Sequence, residues 1–210
     1  MLLRDNIYQA IRSEILACRM PPGAEVREQE LAERYAVSRQ PVREALLRLE
    51  HERLVTVHAR QGYQVNPISI ADARDLIQFR LLIEPACAGD AAESGSAEAL
   101  AALDAFRTLD EGTDFIDYNR AFHTALAQAS GSRRMAATAR DLIEQADRLV
   151  RVSLAAIKGR EPAQLIAEHA EIIDAVQRRD ARMARRLVRE HVAQAQRRII
   201  QALERSAVIR

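Results

Sequence analysis

Apolar positions recur at three- and four-residue steps along most of the chain, the period of helices with one buried face. In "DYNRAFHTALAQAS", Phe115, Tyr118, Phe122, Leu126 and Ala129 form such a stripe. His123 sits at its edge, and Asn119 lies one turn earlier, so both side chains leave the same side of the helix. The pattern predicts helices at roughly 70–93, 97–109, 114–129, 132–158, 162–178 and 181–205, divided at "ESGS", "DEGTD", "SGS", "KGREP" and "RRD".

The first part of the chain has a different texture, with short elements broken by Pro and Gly. Ile7, Ile11, Ile15 and Cys18 mark one helix, which "MPPG" ends, and "REQELAERY" is a second. Ser38 is expected to cap a third, its hydroxyl taking the N–H of Gln40, with Pro41 in the first turn. Val42, Ala45, Leu46 and Leu49 are that helix's buried stripe. "LVTVHA" and "YQV" alternate around "RQG" and predict a hairpin with Gly62 at the turn. In "VNPIS", Pro67 pushes Asn66 toward extended geometry, and Ser69 with Asp72 reads as a capping box. The expected fold is therefore mainly α. A winged helix-turn-helix occupies 1–66, 67–69 link, and an all-helical bundle fills 70–206.

Composition narrows this only a little. The chain has 210 residues, 48% hydrophobic and 29% charged, as in soluble globular proteins. A net charge of +1 gives no global attraction to nucleic acid or anionic membrane, so any such binding requires a local patch. Arg is abundant and Lys158 is the only lysine, a compositional bias. Cys18 and Cys87 are far apart on apolar faces, so a disulfide framework is not expected and a reducing cytoplasm is. Arg4 and Asp5 precede any apolar run, unlike a secretory signal, and no stretch approaches the ~20 apolar residues of a membrane span.

The third helix carries the first chemical signal. Opposite its apolar stripe lie Gln40, Arg43, Glu44 and Leu47, with Arg39 at the flank. An Arg fork matches guanine O6 and N7, and Gln matches adenine N6 and N7. Ser38 and the helix N-terminus suit a phosphate, and His58, Arg60 and Gln61 fall at the hairpin tip. The plainer alternative is a solvated face. The segment "PPGAEVREQELAERYAVSRQPVREALLRLEHERLV" resembles the operator-binding head of the GntR transcription regulators. The resemblance implies a double-stranded operator as partner, groove-facing Arg39 and Arg43 with Gln40 beside them, and a wing tip from Arg60 to Gly62. Ala36 and Arg53 stand where that pattern commonly has Gly, so strain is expected at Ala36. Gln40 replaces a frequent Thr.

The second signal is a set of histidines. His169 and His191 lie eleven residues either side of Asp180, the middle of "RRD". In an antiparallel helical hairpin both sit ~16 Å from the turn, level with each other. Both are on apolar faces, as is His123. A lone inward His is ordinarily a satisfied core residue. Three, one paired with Asn119, suit a divalent metal such as Zn or Ni, with an amide oxygen as a weak fourth ligand.

Residues 70–205 also resemble the FCD effector domain of the FadR branch of that family, on "FRLLIEPACAGDAA", "YNRAFHTALAQASGS" and "AEHAEIIDAVQRRDARMARRLVREHV". In metal-binding members one Asp and three His hold a divalent cation. The match places those roles on Asn119, His123, His169 and His191, with Asn for Asp lowering the ligand charge by one. A single winged head offers few contacts and two-fold dimers read pseudo-palindromic sites, so a homodimer is expected. The resemblance implies a small carboxylate effector (a sugar acid or other organic acid) anchored at the metal. The expected outcome is a repressor released by it, the reverse sign being the alternative. Arg80 is the candidate second anchor, its alternative being a salt bridge to Glu84. Two rivals remain: a purely structural metal, and a three-His metal-dependent enzyme. The enzyme would need a general base, and Glu168 and Glu190, each adjacent to a His, point about 100° away from it.

Overall fold

The computed structural model describes residues 3–59, 61–156 and 162–205. The chain folds into two compact units, with the boundary between Ser69 and Ile70.

The first unit contains α1 (Leu3–Leu16), β1 (Glu25–Val26), α2 (Glu28–Arg34), α3 (Arg39–His51), β2 (Val55–His58) and β3 (Gly62–Val65). Ile11, Ile15, Val42, Leu46, Leu49 and Val65 are wholly inaccessible and form its centre. The predicted hairpin is present, with Val55 opposite Val65 and His58 opposite Gly62. A third strand joins it: β1 pairs antiparallel with β3, Val26 opposite Tyr63. Two residues are too short to show alternation, so β1 is invisible to periodicity. Cys18 does not extend the α1 stripe, because the helix ends at Leu16 and Cys18 adopts φ 54°. Ala36 and Arg53 sit at φ 53° and 58°. At both sites a side chain occupies left-handed backbone, at a cost of roughly 1–2 kcal/mol each.

The second unit is wholly helical among the described residues. It comprises α4 (Ile70–Ser94), α5 (Ala97–Ala101), a 3₁₀ segment (Ala102–Phe106), α6 (Phe115–Ala129), α7 (Arg133–Ala156), α8 (Pro162–Gln177) and α9 (Ala181–Arg205). The helix expected over 97–109 breaks into α5 and the 3₁₀ segment, whose tighter pitch keeps Leu100 and Leu103 both buried. Asp114 caps α6 by accepting from the N–H groups of Ile116 and Asp117 at 2.9 and 3.1 Å. The end of the helix expected at 158 lies outside the described residues. At "RRD", Arg179 takes φ 61° and Asp180 accepts from the Met183 N–H at 2.9 Å. One left-handed residue thus ends α8 and the next caps α9, an abrupt reversal. α9 packs along α4 and against α8 and α7, while α6 packs on α4 and α7. Phe122, Leu126, Ile143, Ile172, Ile173, Val188 and Ile199 fill the space between. No described helix is long and apolar enough to cross a membrane.

Candidate metal centre and nucleic-acid interface

The α8–α9 reversal and the α6 stripe bring three imidazoles together. Ring centroids are 4.9 Å apart for His169 and His191, 5.4 Å for His123 and His169, and 5.2 Å for His123 and His191. All three residues are buried, and one ligand atom from each lies within 4.8 Å of the others. Phe122 stacks on His169 at 3.9 Å between centroids and fixes its plane.

Each Nδ1 faces an oxygen on a neighbouring helix. His123 Nδ1 lies 2.7 Å from Glu84 Oε2 of α4. His191 Nδ1 lies 2.7 Å from Glu168 Oε2 of α8. His169 Nδ1 lies 3.2 Å from the Tyr118 hydroxyl, which donates its own proton to the Phe106 carbonyl at 2.6 Å. Towards His169, therefore, Tyr118 is an acceptor. Ionised carboxylates only accept, so the His191 and His169 rings are held with hydrogen on Nδ1 and a lone pair on Nε2, whereas His123 Nδ1, close as it is to Glu84, makes no hydrogen bond among the described residues. His169 Nε2 is buried with no hydrogen-bond partner among the described residues. Such an orphan lone pair is costly inside a protein and suits a partner that takes an electron pair, such as a metal cation.

The electrostatics keep His123 and His169 neutral. Burial pushes His123 down to about 4, although Glu84 beside it pulls the other way. Burial, with the two neighbouring imidazoles, holds His169 well below the usual histidine range. Burial would raise Glu84, but Arg80 and His123 outweigh it and hold the carboxyl well below the usual range. Deprotonated imidazole is the form that binds metal.

Asn119, buried on α6, lines one cavity with His123, His191 and Arg80. Arg80 fulfils its salt-bridge alternative, its Nε donating to Glu84 Oε1 at 2.5 Å, while it also lines that cavity. Glu84 and Tyr118 were not legible as partners of the histidines. Glu84 reads as a neighbour of Arg80, and Tyr118 as part of the stripe. Glu168 does point away from His169, and that direction carries it to His191 on the facing helix. This carboxylate is therefore engaged rather than poised as a base.

In the first unit, α3 presents its polar face as expected, and every candidate reader there has a partner. Arg39 Nη2 donates to Gln29 Oε1 at 2.5 Å, Gln40 Nε2 to Glu44 Oε1 at 3.0 Å, and Arg43 to both Glu28 oxygens at 2.8 Å. Ser38 holds the N-cap position with extended backbone but makes no cap hydrogen bond. Pro41 has removed the third-position donor that a capping serine commonly serves. Gly62 opens β3 at φ 104°, and a Cβ there would lie 2.9 Å from the Val26 carbonyl oxygen. Glycine is required by the close passage of β1, whatever else the wing does. Arg60 lies outside the described residues.

Comparison with known proteins agrees with both halves. Residues 3–65 match the family described as "Bacterial regulatory proteins, gntR family", and residues 75–194 match the FCD domain. The "HTH-type transcriptional repressor RspR" of Escherichia coli (strain K12) is 31% identical over 197 residues, covering 90% of this chain and 86% of that one. The "HTH-type transcriptional repressor GlaR" of the same strain is 30% identical over 200 residues, covering 88% and 90%. A solved GntR regulator from Rhodococcus sp. RHA1 aligns with a TM-score of 0.74 at 26% identity over 97% of this chain and 98% of that one. E. coli McbR/YncC shares the fold, with a TM-score of 0.81 at 23% identity over 96% and 98%. The chain belongs to the gntR family of bacterial regulatory proteins, a DNA-binding transcriptional regulator whose winged head is followed in sequence by an FCD domain.

Proposed function

We propose that this regulator is a homodimeric repressor whose helical domain holds a divalent cation at His123, His169 and His191, with the Asn119 amide oxygen as a further ligand. A small carboxylate effector reaches that cation and releases the operator. The observation that carries the reading is the buried, unpartnered Nε2 of His169 within a cluster of three buried imidazoles whose ligand atoms lie within 4.8 Å of one another. When bound, the cation supplies a Lewis-acidic point for an anionic oxygen. The histidines hold it, and Arg80 offers positive charge on the same cavity wall.

The cavity bears on effector class. Its volume of about 40 Å³ is above the minimum for a single water. Its remaining walls mix Ser153 and Arg198 with the apolar Phe115, Val150, Leu165 and Ile199. The space suits a compact acid, and the polar wall residues admit one that carries hydroxyls.

Two winged heads on a pseudo-palindrome give the contacts that one head lacks. Exposed Phe79 and Leu82, on one face of α4, support a bundle surface covered in a dimer. Effector binding must favour one arrangement of the heads, and a coupling of ~1–3 kcal/mol changes operator affinity ~5–150-fold.

The test is a gel shift on the gene's own upstream DNA with metal-loaded protein and a panel of short-chain and sugar acids. One class of acid should weaken the complex, and only when metal is present. A complex retained with every acid, or lost equally without metal, contradicts the proposal.

A further inference from the structure

Arg43 stands on the exposed face of α3, half accessible, yet its guanidinium is not loose. Its Nε donates to Glu28 Oε1 and its Nη2 to Glu28 Oε2, both at 2.8 Å. Glu28, at the start of α2, is itself fixed from the other side. The Tyr63 hydroxyl on β3 donates to Glu28 Oε1 at 3.1 Å, and the Glu28 side chain is only 19% accessible. Three elements thus converge on one carboxylate.

This geometry uses one edge of the arginine fork and leaves the other. The Nε/Nη2 edge is spent on Glu28, while Nη1 and the second Nη2 hydrogen still form a bidentate edge. That edge matches the O6 and N7 acceptors of guanine. The neighbouring carboxylate also offsets the arginine charge, which disfavours a bare phosphate, whose attraction is mainly Coulombic. We infer that Glu28, braced by Tyr63, is a specificity-determining positioning residue that holds Arg43 for one base and away from the phosphate backbone. The inference rests on Arg43 being a base reader.

The experiment selects duplexes from a randomised library with wild-type protein, Glu28→Gln and Arg43→Ala, then measures the salt dependence of binding to the selected and to unrelated duplexes. Glu28→Gln replaces one acceptor oxygen with an amide that faces the Arg43 donors, so the bidentate pair is lost at nearly constant size. Arg43→Ala should lose preference at one base position in each half-site. Glu28→Gln should lose about tenfold of the preference at that same position. It should still bind DNA, with the slope of log K against log salt steeper by about 0.9 as Arg43 turns to a phosphate. A merely structural Glu28 would not steepen that slope. Tyr63→Phe, which removes one neutral donor and leaves both charges, should relax the same position partly, and it covers the case in which Glu28→Gln does not melt cooperatively. Unchanged base preference and salt slope in Glu28→Gln, or in Tyr63→Phe where that variant stands in, overturn the inference. If Arg43→Ala alters no base position, the reading of Arg43 falls, and this inference with it.

Discussion

The Tyr118 hydroxyl gives its proton to the Phe106 carbonyl at 2.6 Å and so can only accept from His169 Nδ1, 3.2 Å away. A backbone carbonyl thereby sets the tautomer of a buried imidazole two contacts distant and leaves its Nε2 lone pair unengaged. Loss of an outer partner of this kind costs about 10–100-fold in metal affinity. Tyr118→Phe should therefore weaken divalent metal binding to that extent with little change of fold, as read by calorimetric titration of metal-stripped protein alongside far-UV dichroism.

Glu84 links the Arg80 guanidinium to the His123 ring, and all three are buried. Removing its charge strands Arg80, and breaking a buried pair costs roughly 3–5 kcal/mol. Glu84→Gln is expected to lower the melting temperature without metal and to weaken metal binding as well. A thermal melt with and without metal separates the two effects.

Asn119 brings a neutral oxygen to the cavity beside the histidines. Asn119→Asp adds one negative charge to the ligand set and should tighten divalent cation binding by about tenfold, since ligand charge tunes affinity. Competition against a chromophoric chelator measures it.

Acid should destabilise the helical domain. His123 titrates at about 4 in the folded chain, below its ordinary 6.5, and His169 is shifted the same way. Between those limits the unfolded chain takes up protons that the native state refuses, so stability present above pH ~6.5 is lost as pH falls towards 4. Glu84, held low, adds to the loss once pH drops below its unfolded value. Asp147 acts oppositely: burial raises it to about 6 despite its 2.6 Å pair with Arg120, so its protonation on acidification favours the native state. Melts from pH 7 to 4 should show falling stability, and Asp147→Asn, which removes the offset, a steeper fall.

In the head, Gly62→Ala places a side chain at φ 104° and 2.9 Å from the Val26 oxygen. The expected loss is roughly 1–3 kcal/mol of head stability, measurable by chemical denaturation followed by dichroism.

Much of this architecture is written in the chain's own periodicity. The stripe through Phe122 and Leu126 placed His123 and Asn119 on the buried side of α6, and equal spacing about Asp180 set His169 level with His191. Those are local signals, one helix or one reversal at a time. What stayed hidden joins helices distant in sequence. The reach of Glu84 to His123 depends on how α4 lies against α6, and that of Tyr118 to His169 on how α6 meets α8. Periodicity says which face is buried, not which neighbour it meets. β1 escaped for another reason: two residues carry no period, and only pairing with β3 makes them a strand. The Glu28–Arg43 pair crosses from α2 to α3, so α3 alone showed an arginine that looked solvated.

The most direct test of the metal centre is a cobalt(II) titration of metal-stripped protein, followed by visible absorption and X-ray absorption at the metal edge. One ion per chain should bind with imidazole nitrogens around it, and His169→Ala should abolish that signal. Absence of stoichiometric binding, or a spectrum unchanged in His169→Ala, would contradict it.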